Sequence, residues 1–288
     1  CTADSRLQFD RASFGIGMDG SAGGAIPVRI ISGPSHLNPS DFASFMPQLS
    51  SADTRIAVNV DIDGDTERLR ISSLDFSSDE KGLLLTVSGG LNNVTDSISA
   101  DRLTARYSGT AATYGWIRQT LAGFGIRIPE TIGSSIGNTD ISLTCDGDIG
   151  SHVIGCDVRT SAAGSLYALY SGQSGIRKLK VSSGSLNIGR ITGNRSLGRV
   201  RMQADARCDT RDSMNVSGYA DIRIPMLECD GYSYDSIHIS GNLLNGRYTA
   251  SAKISDSHAR LTASTDYRPS ANSLSVRLNA DSIDLAAT

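Results

Sequence analysis

No run of this sequence approaches the roughly 20 apolar residues that a membrane-crossing helix requires, so none is expected within it. A charge excess is missing too: 27 Lys and Arg stand against 30 Asp and Glu, a formal net charge of −3. That balance offers no electrostatic footprint for nucleic acid or an anionic membrane. Aromatics are only 6% of residues, while Gly numbers 30 and Ser is abundant, as expected of a lightly packed sheet with many turns. Cysteine is sparse: Cys1, Cys145, Cys156, Cys208 and Cys229 form an odd set with no C-x-x-C and no His at metal-ligand spacing. Cys145 and Cys156 flank the turn-like run 146–151 and read as facing each other across a hairpin, as a disulfide or as small buried thiols. Cys1 reads either as the lipidated cysteine of a mature lipoprotein or as a cut within a longer chain. With no initiator Met and no signal peptide, an internal piece of a longer protein is expected.

What the sequence does contain is alternation. Ile56, Val58, Val60 and Ile62 fall on one parity, with Ala57, Asn59, Asp61 and Asp63 between them. The same period recurs at Ile222 and Ile224, at Ile237 and Ile239, and at Leu274, Val276 and Leu278. A period of two places these residues on one face of a strand and their neighbours on the other. Two breaks are expected. Asn38-Pro39 reads as a capped helix start for a short turn near 39–46, limited by Pro47. Trp116, Ile117, Thr120, Leu121 and Phe124 keep helical spacing, with Gly123 or Gly125 near the helix end. The chain therefore divides into a sheet segment over 1–112, a helical connector over 113–138 and a second sheet segment over 139–288. The expected fold class is all-β: an elongated, curled antiparallel meander, an open groove of the β-taco or solenoid-like kind, with one or two short helical insertions.

Motifs for chemistry do not hold up. Gly15-Ile-Gly-Met-Asp-Gly20 fits G-x-G-x-x-G, but no helix follows to supply the anion-binding amides, so it reads as a turn. Gly133-Ser-Ser-Ile-Gly137 fits G-x-S-x-G without the strand before and helix after that a nucleophile elbow needs. Asp61-Ile-Asp-Gly-Asp65 has its Gly one place too early for a calcium loop and no Glu at position twelve, so an Asp-Gly turn is expected. His36, His152, His238 and His258 are scattered, and His238 between two isoleucines should point to the polar face. Asn93, Asn194 and Asn215 head glycosylation triplets that matter only in a glycosylating pathway. No catalytic, metal or cofactor residue is assigned, and the chain is read as not an enzyme.

Asp230-Gly-Tyr-Ser-Tyr-Asp-Ser-Ile-His-Ile-Ser-Gly241, followed by Gly246-Arg-Tyr-Thr-Ala-Ser-Ala-Lys-Ile-Ser-Asp256, resembles the TamB family of the AsmA-like superfamily, in its Bacteroidota form. Leu37-Asn-Pro-Ser-Asp-Phe-Ala-Ser-Phe-Met-Pro47 and the stretch from Trp116 to Pro129 with Ser142-Leu-Thr-Cys-Asp-Gly147 are similar to segments usually found upstream. The resemblance implies a periplasmic protein anchored in the inner membrane of a didermic bacterium, its anchor lying outside this segment. It implies an apolar sheet trough that shelters phospholipid acyl chains on their way to the outer membrane. It also implies an outer-membrane barrel partner of the TamA type and a link to outer-membrane protein assembly.

On this reading the trough is lined by Ile56, Val58, Val60, Ile62, Leu69, Ile71, Leu83, Leu85, Val87, Ile222, Ile224, Ile237, Ile239, Leu274, Val276 and Leu278. Trp116, Leu121 and Phe124 cap or narrow it. Two other readings stand beside it: a scaffold for assembling outer-membrane proteins, and an extracellular binding sandwich. Periodicity alone favours a closed sandwich or solenoid, and the family resemblance is what turns the reading to an open trough.

Overall fold

The computed structural model describes residues 6, 8–14, 25–127, 135–212 and 215–283. Cys1, the run 15–20, Gly133 and Ser134 lie outside them, as do Ile128 and Pro129. The chain is mostly β, an antiparallel meander that does not close into a barrel. It divides into two compact units, Cys1–Ile149 and Gly150–Thr288.

The first unit holds β1 (Phe9–Phe14), β2 (Pro27–Ser32), β3 (Ser35–Leu37), β4 (Ile56–Asp65), β5 (Arg68–Ser78), β6 (Leu83–Asn92), β7 (Ser99–Gly109) and β8 (Thr139–Gly147). Strands β2 and β3 both pair with β4, because Gly33 and Pro34 interrupt what would otherwise be one strand. Hydroxyls bridge the gap: Ser32 Oγ accepts from Val60 N at 2.8 Å, and Ser35 Oγ donates to the Gly33 carbonyl at 3.1 Å. The second unit is a nine-strand meander: β9 (Ser151–Thr160), β10 (Gly164–Gln173), β11 (Ile176–Asn187), β12 (Leu197–Asp209), β13 (Ser217–Cys229), β14 (Tyr232–Leu244), β15 (Arg247–Ser255), β16 (Ala259–Arg268) and β17 (Ser273–Ile283).

Turn chemistry sets the register. The expected turn at Asp63–Asp65 forms slightly later: β4 runs to Asp65, whose Oδ1 accepts from Glu67 N at 2.9 Å and Arg68 N at 2.7 Å. Gly64 stays in the strand at φ 129°, where a Cβ would stand 2.1 Å from the Arg68 carbonyl oxygen. Only glycine fits there. Pro225, which lacks a ladder donor, sits at a bulge of β13 opposite Met202 of β12.

Helices fill the breaks. Asn38 caps a 3-10 helix over Pro39–Phe42, its side chain accepting from Ser40 N. Pro47 does not simply end that turn; it opens a second 3-10 helix, Pro47–Ser51, since the first helical position needs no donor. Helix α1 spans Ala111–Gly123, beginning two residues before the expected connector because Thr110 and Thr113 form a capping box. Thr113 Oγ1 also donates to the carbonyls of Lys81 and Gly82 after β5. A short helix α2, Ile188–Thr192, was not foreseen; Asn187 caps it and Gly193 closes it in the left-handed region at φ 73°. The four described cysteines are free thiols, so the Cys145–Cys156 bridge does not form.

The Gly-Tyr-x-Tyr strand and the Asp256 turn that carried the family resemblance meet in space. Tyr232 Oη donates to Asp256 Oδ1 at 2.6 Å and lies 2.6 Å from His258 Nδ1. The backbone N–H groups of Asp235 and His258 also donate to the Asp256 carboxylate. Asp256 is 4% exposed. The Tyr232 hydroxyl, ahead of the two amides, holds its carboxyl below the ordinary carboxylate value. Ser257, His258 and Asp256 are three residue types of a hydrolytic triad, yet the imidazole nitrogen nearest Ser257 also faces Tyr232, and the carboxylate is spent on backbone amides. The cluster is a clamp that ties the β15–β16 turn to β14.

A depressed carboxyl contributes stability that is present above the unfolded value, near 3.9, and is lost as pH falls through the lower folded value. Tyr232→Phe should therefore lower the melting temperature at pH 7, and the gap from the parent should shrink below about pH 4. Melting curves from pH 7 to pH 2.5 measure it; a gap independent of pH would contradict the clamp.

Candidate functional site

In an antiparallel ladder, directly opposed residues share a face. Register therefore assigns a side to every paired residue. In the first unit Val58 opposes Phe76, Val60 opposes Leu74 and Ile62 opposes Ile71. Phe76 opposes Leu85, Leu74 opposes Val87 and Leu69 opposes Leu91. Leu85 meets Tyr107, which meets Ile141, and Val87 meets Ala105, which meets Leu143. The nine expected lining residues of this unit, Ile56 to Val87, all fall on this apolar face. The opposite face carries Asn59 against Asp75, Asp63 against Arg70 and Thr86 against Arg106.

The second unit repeats the arrangement over nine strands. Ile222 opposes Ile239, and Ile224 opposes Ile237, which opposes Ile254. Leu274, Val276 and Leu278 oppose Tyr267, Thr265 and Ala263 on the same face. The seven remaining expected residues thus share one face as well. His238 points the other way, its Nε2 2.6 Å from Asp221 Oδ2. His238 and the Arg223 guanidinium hold the Asp221 carboxyl below its usual range. Arg247 and Arg268 converge on Asp266, and Lys180 stands 3.6 Å from Asp205. Such exposed pairs are individually weak, but they keep this side wet.

Several face residues were missed. Leu74 and Phe76 fall out of phase with Leu69 and Ile71 because β5 carries one extra residue between Ile71 and Leu74. A bulge of that kind restores the same face after a one-residue slip in parity, so the slip itself was the available signal. Small residues were also passed over. Ala206, Ala220, Gly241, Ala250 and Thr265 oppose one another in series from β12 to β16. At an interstrand spacing of about 4.8 Å, this row spans roughly 19 Å across the strands. It floors a cavity of about 500 Å³ on the apolar face, bordered by Tyr170, Leu179, Leu243, Tyr248 and Tyr267.

What covers these faces decides their meaning. The close strand contacts among the described elements run between ladder neighbours. The sheet is an open meander that is not closed into a barrel. Among the described residues the buried apolar side chains are few: Ala52, Ile56, Ile71, Ala163 and Val200. Ile239 is 36% exposed, and Leu274, Val276 and Leu278 about two-thirds exposed. Of the expected cap residues, Trp116 and Leu121 are half-buried and Phe124 is exposed. Their helix is held by the turn after β5 and by the 3-10 helix Pro47–Ser51, where Ser51 Oγ donates to the Gln119 carbonyl. They stand at one end of the first unit's sheet, and the buried Trp116 Nε1 has no hydrogen-bond partner.

The polar faces carry cavities too. One of about 410 Å³ is lined by Arg247, Asp266 and Arg277 with serines and threonines. Another, of about 400 Å³, includes Lys180, Asp205, Asp221 and Arg223. Concavity alone therefore does not single out one side of the second unit; the chemistry of the lining does. No protein-family model, no curated protein and no solved structure matches this chain.

If the apolar faces are surface rather than core, truncation there is cheap. Val276→Ala should change unfolding free energy by no more than about 0.5 kcal/mol, whereas Ile71→Ala, at 8% exposure, should cost about 2–5 kcal/mol. Urea denaturation compares them, and equal large losses would mark the whole face as core.

Proposed function

We propose that this segment carries phospholipid acyl chains along the apolar faces of its two units, as part of a periplasmic protein bridging the inner and outer membranes. The observation that supports the reading most is the apolar face that register builds across each unit, with Ile239, Leu274, Val276 and Leu278 exposed on it in the second. Contiguous exposed apolar surface beyond a few hundred Å² is rare on soluble monomers and marks contact with lipid, ligand or protein. An acyl chain asks nothing of such a face except removal from water, worth about 0.8 kcal/mol per methylene. Repeated rows of Ile, Leu, Val and Ala supply that at many equivalent positions, so a chain can move without crossing a specific polar site. No bond is made or broken, and no catalytic group is required.

Photocrosslinkers at Val58 and Ile239, with controls at Asn59 and His238 on the polar faces, test this in cells of the source bacterium. Phospholipid adducts are expected from the two apolar positions alone. Capture of outer-membrane protein precursors without lipid would favour an assembly scaffold, and the absence of any lipid adduct would sink the transport reading.

A further inference from the structure

One cation stands on the second unit's apolar face at the edge of the cavity. Arg177 opposes Gly172 of β10 and Cys208 of β12, two residues along β11 from Leu179, which opposes Ala206 of the small-residue row. Its Nη1 donates to the Tyr170 hydroxyl at 2.8 Å. That partner is neutral, and no carboxylate pairs with Arg177 among the described residues. By contrast Arg159, Lys180, Arg211, Arg223 and Arg247 each have a carboxylate partner. No Asp or Glu lines the cavity. The other two cations of its lining, Lys178 and Arg207, oppose each other on the polar face and contribute only the edge of the wall.

The floor leads away from Arg177. Ala206, Ala220, Gly241 and Ala250 leave room for a linear chain lying across the strands, and the Tyr248–Tyr267 ring pair, 6.1 Å between centroids, stands along its side. A guanidinium held at one end of an apolar trough matches one kind of molecule: a linear hydrocarbon with an anionic oxygen headgroup. A planar fork of donors favours phosphate or carboxylate oxygens, and the oriented Tyr170 hydroxyl pre-positions it. We propose that this trough is a seat for the acyl chain of an anionic lipid, with Arg177 binding the headgroup phosphate. The inference rests on the acyl-chain reading above and adds a headgroup preference to it.

The test uses the purified chain with dodecyl phosphate and with dodecyl maltoside below their micelle concentrations, both followed by tyrosine fluorescence. Dodecyl phosphate is expected to bind about tenfold tighter, the size of one charge-assisted contact, and the margin should narrow as salt is raised. Arg177→Gln should abolish the margin while leaving dodecyl maltoside binding unchanged, Arg177→Lys should keep part of it, and Lys178→Gln should keep all of it. Gly241→Leu, which fills the floor from a strand position with open space above it, should weaken both ligands. Equal binding of the two ligands, or a margin lost equally in Lys178→Gln, overturns the headgroup seat and leaves the apolar trough standing. Binding of neither ligand overturns the trough itself, and the headgroup seat with it.

Discussion

The antiparallel ladder is the constraint on which the rest depends. Because opposed residues share a face, alternation within each strand becomes segregation across each unit. Apolar side chains collect on one side of the sheet over as many strands as the meander has. In a globular domain a second layer would cover that side and turn it into core. Here α1 and the 3-10 helix Pro47–Ser51 pack on each other beside the first unit's sheet, and the short α2 lies against β12 in the second. Stability must come from the ladders themselves and from cross-strand neighbours such as Ile222 with Ile239. Few side chains are buried deeply.

Keeping one face apolar over so many strands demands correction of phase. Bulges in β5, β7, β11 and β13 each insert a residue, and the sequence parity shifts to match. Gly64 and Gly89 take left-handed conformations where a side chain would meet a neighbouring backbone. The Tyr232–Asp256 clamp acts on the same problem at a turn, fixing where β16 begins relative to β14. The opposite faces are set by charge: His238 and Arg223 hold the Asp221 carboxyl below its usual range, and Arg247 and Arg268 do the same for Asp266.

These features suit a surface that holds long chains without recognising them closely. Rows of methyl and methylene groups give many equivalent positions, while the Arg177 guanidinium, donating to the Tyr170 hydroxyl, stands at one end of the second unit's cavity. On the proposed reading, such a face separates two tasks: it shelters hydrocarbon along its length and meets the headgroup at one place.

Much of this was legible in the residues. Period-two alternation at Ile56–Ile62 and Ile237–Ile239 assigned strands and faces, Asn38 marked a helix start, and the spacing of Trp116, Leu121 and Phe124 marked α1 without its Thr110 cap. Other elements were hidden. Leu74 and Phe76 looked out of phase because a bulge changes parity, and α2 is too short for any periodic signal. Ala206, Ala220, Gly241 and Ala250 have side chains too small to register as apolar, and their alignment across four strands is a fact of register. The sequence by itself determined the all-β class and which side of each strand is apolar, since those follow from local spacing. Only the tertiary structure decided that Leu274, Val276 and Leu278 stay exposed on such a face and that Arg177 stands beside a row of small residues, because both depend on how separate strands pair.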